Sequence, residues 1–239
     1  MKKTIIAMLA ASGLASAATY TPLDSADGWT LSSNRYTPVQ YEDGTLYSSG
    51  WNQGYAHYDF STPITLNEGE ILKWSFDLTS NDTNSVATLT FETASLNVVM
   101  GSGAYNANIG YGVTGDDSAS GYVTSGGWGV QLGDSFANFS GVTFTTGVPY
   151  TMSGLISKDG DNYTMTIDVN GTNYATVDLG TTFALDGIVF SADGANNINQ
   201  GSRLSNLVLT VEGATVPEPA TATLSLLALA GLAVRRRRR

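Results

Sequence analysis

The sequence predicts an all-β protein: an antiparallel two-sheet β-sandwich of jelly-roll type, with a signal helix before it and a transmembrane helix after it. Three observations carry this. Between Ala18 and about Gly213 apolar residues recur at every second position, and no convincing helix interrupts them. Asp-Gly and Asn-Gly pairs punctuate the same stretch, as tight turns between strands require. The two ends differ in composition from the body, each joining an apolar run to basic residues. The expected organisation is residues 1–17 as signal peptide, 18–213 as the sandwich and 214–239 as a separate C-terminal segment with the transmembrane helix and terminal arginines.

At the N-terminus Lys2 and Lys3 precede an apolar run from Thr4 to Leu14, and Ala15-Ser16-Ala17 follows. A basic start, an apolar centre and a small-residue cleavage site in that order make a secretory signal, so the mature chain begins at Ala18.

The body opens its clearest strand at Ile71. There Leu72, Trp74, Phe76 and Leu78 fall on one face, which places Trp74 in the core. Residues Val86 to Glu92 are again rich in strand formers. Tyr163, Met165, Ile167 and Val169 alternate with polar residues up to Asn170-Gly171, a strong two-residue hairpin signal. The return strand puts Ala175, Val177 and Leu179 on one side, and Leu204 to Val211 closes the domain. Asp-Gly pairs at 27–28, 43–44, 159–160, 186–187 and 193–194 read as further turns. In all, about twelve strands are expected, without a fixed repeat. The chain has no cysteine, so a body of this size must be held by its core and ladders.

At the C-terminus Ala220 to Val234 carries no charge. As a helix it spans only ~22 Å, short of the ~30 Å hydrocarbon core, and is expected to insert by thinning the bilayer or by drawing in flanking residues. Arg235, Arg236, Arg237, Arg238 and Arg239 then stop transfer and stay cytoplasmic. Lys2 and Lys3 impose the same orientation, with the body outside. Before the helix, Pro217 and Pro219 flank Glu218 and keep the stretch extended, a form a protease can grip.

Val216-Pro217-Glu218-Pro219, the short apolar helix and the terminal arginines together resemble the PEP-CTERM sorting signal of exported proteins in Gram-negative bacteria that make exopolysaccharide. The resemblance implies an exosortase-type processing protease as partner, transient membrane anchorage through the helix, and delivery to the cell surface or extracellular matrix. The body resembles the concanavalin A-like lectin and glucanase jelly roll. Val148 to Gly154, the Tyr163–Val169 strand with its Asn170-Gly171 turn, and the closing strand after Arg203 carry that resemblance.

Composition excludes other classes. Charged residues make up 13% of the chain, and its net charge is −10. Residues 18–216 keep four bases, Arg35, Lys73, Lys158 and Arg203, against 20 of the 21 acids, a balance of −16. Nucleic acid is therefore not a partner, since phosphate needs a basic face. Such a body is also repelled by anionic lipid and anionic polymers.

Catalytic chemistry is sparse. His57 is the one histidine, and no Gly-x-Ser-x-Gly elbow occurs. Period two puts Tyr55, His57 and Asp59 on one strand face, with Ala56, Tyr58 and Phe60 on the other. Glycoside hydrolysis needs two carboxylates facing one bond. The Glu-x-Asp-x-x-Glu strand that the glucanase resemblance implies is missing; Glu68, Glu70 and Asp77 come nearest. Gly115 to Ser118 and Asp159 to Asn162 are the acidic loops closest to a calcium site, the second reading as a hairpin tip. Zinc lacks ligands. No catalytic residue, metal or cofactor is expected. Trp51, Tyr55 and Trp128, in Gly-rich settings, are the candidate glycan contacts, with extracellular polysaccharide as a second partner. The expected function is a lectin-like, non-catalytic binding or adhesive ectodomain. The alternatives are a passive component of the envelope or matrix and a divergent glycoside-active enzyme.

Overall fold

The computed structural model describes residues 17–33, 39–48, 54–80, 87–103, 109–110, 120–121, 127–132, 135–139, 145–192 and 201–213. The signal segment up to residue 16, Trp51, the Gly115–Ser118 loop, Asp193-Gly194 and the segment 214–239 lie outside the described residues. Among the described residues no helix is long and apolar enough to cross a membrane.

The chain runs through β1 (Ala18–Tyr20), β2 (Trp29–Ser33), β3 (Val39–Glu42), β4 (Thr45–Ser48), β5 (Gly54–Ile64) and β6 (Ile71–Thr79). It continues through β7 (Ala87–Thr93), β8 (Asn97–Gly103), β9 (Ile109–Gly110), β10 (Ser120–Gly121), β11 (Gly127–Leu132) and β12 (Ser135–Asn138). The last strands are β13 (Tyr150–Asp159), β14 (Asn162–Val169), β15 (Thr172–Gly180), β16 (Leu185–Ala192) and β17 (Arg203–Glu212). One 3-10 turn, Pro22–Asp24, is the described helical element. The described strands outnumber the expected twelve because several are only two to five residues long and carry no periodicity of their own.

Two antiparallel sheets form the sandwich. The first has the order β15-β14-β13-β6-β17-β4-β3, with β1 also pairing β17. The second has the order β12-β11-β8-β7-β16-β5-β2. The expected all-β, two-sheet architecture is thus the one observed.

Period two decides which side chains meet between the sheets. From β6, Leu72, Trp74, Phe76 and Leu78 are all buried; from the facing sheet come Leu89, Phe91, Ile188 and Phe190. The Trp74 and Phe91 rings meet edge to face with centroids 5.5 Å apart, which joins the two sheets. Burying one such large apolar side chain is worth about 1.5–3 kcal/mol.

Local chemistry sets the hairpins. Asn170 and Gly171 adopt φ of 49° and 80°, and Val169 pairs with Thr172 across them. Two positive φ values in a two-residue loop define the I′ turn, whose twist matches that of the strands. Asp43 and Gly44 repeat it between β3 and β4. In β17 the alternation changes phase at Asn206, whose φ is 54°. The bulge between Ser205 and Val208 lets Leu204, Leu207 and Leu209 all turn inward, which strict period two from Leu204 forbids.

Asp186-Gly187 departs from the sequence expectation. It lies inside β16, at a register shift, and forms no turn between strands.

Gly171→Ala is expected to destabilise the fold by about 1–2 kcal/mol, the strain of a β-carbon in the left-handed region. Thr172→Ala is the control, expected to change little. Urea denaturation of both variants measures the difference.

Candidate functional site

The second sheet has an outer face as well as a core face. On β7, Ala87, Leu89 and Phe91 join the core, which leaves Thr88, Thr90 and Glu92 on the other side. On β16, Ile188, Phe190 and Ala192 point inward, so Val189 and Ser191 point outward. On β5, Ala56 and Tyr58 pack inward while Tyr55, His57 and Asp59 share the outer face, as alternation predicts.

Register then assembles a patch. One row is Tyr55, Ser191 and Thr88; the next is His57, Val189, Thr90 and Val99; the third is Asp59, Gly187 and Glu92. This outer face is enclosed at its centre. Thr90, Val189 and Ser191 are fully buried, and Thr88 and Val99 nearly so. It opens at its rim, where the Asp59 side chain is 75% exposed against 13% for His57 and 11% for Glu92.

His57 and Glu92 stand on strands separated by β16, about two strand spacings or ~10 Å apart. They nevertheless meet: His57 Nε2 donates to Glu92 Oε2 at 2.8 Å, and Asp59 Oδ1 lies 3.4 Å from the same nitrogen. Gly187 makes this possible. A β-carbon there would sit 2.6 Å from Glu92 Oε2 and 3.0 Å from His57 Nε2. The glycine serves space at this position, and the pair closes over bare backbone.

The hydrogen bond to Glu92 is the main cause that raises the His57 pKa above its ordinary value. Burial opposes it, and the negative charges of Glu92 and Asp59 add to it. Beside the pair, Thr88 Oγ1, Thr90 Oγ1, Ser191 Oγ and Glu92 Oε1 are buried without a hydrogen-bond partner. Each such group costs about 1–3 kcal/mol when left unmade. Four on one face form a concentrated set of donors and acceptors directed away from the core.

Of the residues singled out from sequence, Tyr55 lies on this face and is half-buried. Trp128 lies in β11, in register with Ser102 and through it with Ala87. The acids nearest to a glucanase pair are dispersed. Glu70 accepts from the Asn67 backbone at 2.7 Å, Glu68 is 3.4 Å from Lys158, and Asp77 accepts from Thr151 and Asn206 on the other sheet. Asp159 to Asn162 form the β13–β14 hairpin tip. Among the described residues no group of three or more His, Cys, Asp or Glu is placed to hold a metal ion. Sequence reasoning missed Glu92, Thr88, Thr90 and Ser191. The polar positions alternating through β7 were the available sign, but only cross-strand pairing brings Glu92 to His57.

Residues 215–239 match the PEP-CTERM protein-sorting motif. No curated protein matches the chain in sequence. In structure it is similar to an endo-1,3-beta-glucanase from Streptomyces sioyaensis, at 9% identity and a TM-score of 0.51, over 77% of this chain and 89% of that one. It is also similar to lectin II from Ulex europaeus, at 11% identity and a TM-score of 0.48, over 82% and 98% of the two chains. The glucanase likeness shows a shared fold, the two-sheet jelly roll.

A raised His57 pKa means that the pair stabilises the folded chain fully below about pH 6.5, the unfolded value, and less as pH rises through the folded one. Glu92→Gln is expected to lower the His57 pKa, read by NMR titration of the one imidazole. It should also remove about 1–3 kcal/mol of stability at pH 6 but less at pH 9. Thermal melts at both pH values measure that convergence.

Proposed function

We propose that this chain is an exported protein, sorted to the cell surface through its C-terminal motif, whose sandwich is a non-catalytic glycan-binding or adhesive ectodomain. The observation that carries the proposal is the polar patch on the second sheet. Its accessible rim, the exposed Asp59 carboxylate with the half-buried Tyr55 and His57, suits a ligand that presents hydroxyls. Tyr55 borders the patch, and an aromatic ring offers its face to the C–H side of a sugar. Trp51 and Trp128 are proposed as further aromatic contacts apart from this patch, since Trp128 stands in register with the core-facing Ala87.

The sorting motif supplies the route. Residues 220–234 hold the chain in the membrane, Arg235–Arg239 fix its depth, and Pro217, Glu218 and Pro219 present an extended segment to an exosortase-type protease. Extracellular polysaccharide is the partner within reach of a body delivered there.

One observation favours a second reading, a glycoside-active enzyme. Asp59 and Glu92 both reach His57 Nε2, so two carboxylates converge on one point. Hydrolysis requires one of them to hold a proton for the leaving group. Both carboxylates are instead turned onto the same imidazole nitrogen, and the Glu92 side chain is only 11% exposed, so the two do not face a bond from opposite sides. The binding reading is therefore preferred.

On an array of neutral and charged oligosaccharides, the full chain in detergent is expected to bind at least one glycan without releasing reducing ends. Tyr55→Ala should weaken that binding about tenfold, a loss of ~1.4 kcal/mol. Binding to no sugar removes the lectin reading, and release of reducing ends restores the enzyme.

Replacing Pro217, Glu218 and Pro219 together by alanine is expected to leave the unshortened chain in the membrane fraction of a host that processes the parent protein. An immunoblot against the body shows the size of each, and equal processing of the two would remove the proposed role of these residues.

A further inference from the structure

The first sheet also has an outer face, and its side chains reach solvent. On β6, Leu72, Trp74 and Phe76 enter the core, so Lys73 and Ser75 point outward. Register lays out two rows. One runs Val208, Ser75, Ser153 and Asp168; the next runs Thr210, Lys73 and Leu155, with Thr166 beyond. Lys73 is exposed and the others are half-buried.

Two irregular strands shape this face into a groove. The β13–β14 ladder pairs Ser153 with Asp168 and Ile156 with Met165, but residues 154 and 155 are skipped, and Leu155 N donates to Thr166 Oγ1 at 3.1 Å. Gly154 allows the pinch, since a β-carbon there would fall 1.9 Å from the Thr166 carbonyl oxygen. On the other side of β6, β17 carries its bulge between Ser205 and Val208. Strand irregularities of this kind recur beside binding sites. Between them lies a cleft of about 350 Å³ lined by both rows. Small-molecule sites span ~300–1,000 Å³.

The charged groups at the groove are matched within the molecule. Lys73 Nζ lies 2.8 Å from Glu212 Oε2, and Asp168 Oδ1 accepts from Asn173 Nδ2 at 2.8 Å. The Ser75 and Ser153 hydroxyls stand side by side between these pairs and can donate or accept. Leu155 and Val208 add aliphatic surface. This set fits a ligand with hydroxyls on its edge and C–H groups on its face. It offers an acidic ligand no unmatched cation, and the balance of −16 over residues 18–216 repels polyanions.

We propose that the groove is a second saccharide site, for an uncharged glycan, on the opposite side of the sandwich from the Tyr55 patch, so that one body bridges two glycan chains. The proposal rests on the glycan-binding reading above and adds a site and its ligand class. The aromatic ring at the groove, Trp74, is buried, so no stacking surface is offered and this is the weaker of the two sites.

The test titrates the full chain in detergent with a neutral oligosaccharide that binds on the array. Calorimetry is expected to give two sites per chain. Ser153→Gln, a longer neutral side chain on an accessible face, should remove the weaker site and leave the stronger, with the melting temperature nearly unchanged. Tyr55→Ala should weaken the stronger site alone. NMR of the parent chain needs no variant: the saccharide should shift the amide signals of Ser75, Ser153 and Leu155. A single site per chain with those signals unmoved overturns this inference and leaves the glycan reading standing. Shifts of the same signals with protein concentration and no sugar also overturn it, and assign the face to a second copy of this chain. Equal shifts from the same oligosaccharide oxidised at C6 to uronates overturn the ligand class. Binding of no sugar overturns the glycan reading and this inference with it.

Discussion

The contact on which the rest of the molecule depends is the apolar seam between β6 and β7. Leu72, Trp74, Phe76 and Leu78 project from one sheet, and Leu89 and Phe91 meet them from the other. The chain has no cysteine to tie the layers covalently. Apolar burial between the layers and the ladders within them must therefore supply the stability. Trp74 shows how tight that arrangement is. Its ring stacks on Phe76 and meets Phe91 edge to face, and a β-carbon at Gly154, the residue paired with it, would fall 2.7 Å from the indole.

The candidate site is built on the reverse of this seam. Residues that alternate along β7 serve the core and the patch in turn, with Leu89 and Phe91 inside and Thr88, Thr90 and Glu92 outside. The core therefore fixes the position of the polar groups, since a slip of one residue would send every one of them inward. Gly187 adds the last condition by leaving room for His57 and Glu92 to close above β16.

How much of this could be read from sequence depended on range. The β6 face, the burial of Trp74 and the Asn170-Gly171 hairpin are encoded within a few residues, and each was legible. Asp186-Gly187 shows the limit. It is the same pair as Asp43-Gly44, which does form a turn, yet it lies within a strand because β5 and β7 pair on both sides of it. Local turn chemistry was outweighed by long-range pairing. Glu92 was illegible for the same reason, standing 35 residues from His57 in the chain. Tyr55 was legible as an outward residue from period two, but nothing local to it showed that Ser191 and Thr88 would share its row.

The position of β17 bears on timing. This strand sits within the first sheet, between β6 and β4, with β1 also paired to it. It is the last strand of the sandwich, ending at Glu212, and the sorting motif begins at residue 215. For a chain threaded outward from its N-terminus, the piece that joins the two halves of the sheet emerges after all the others. Closure of the first sheet therefore waits for residues that lie directly before the sorting motif.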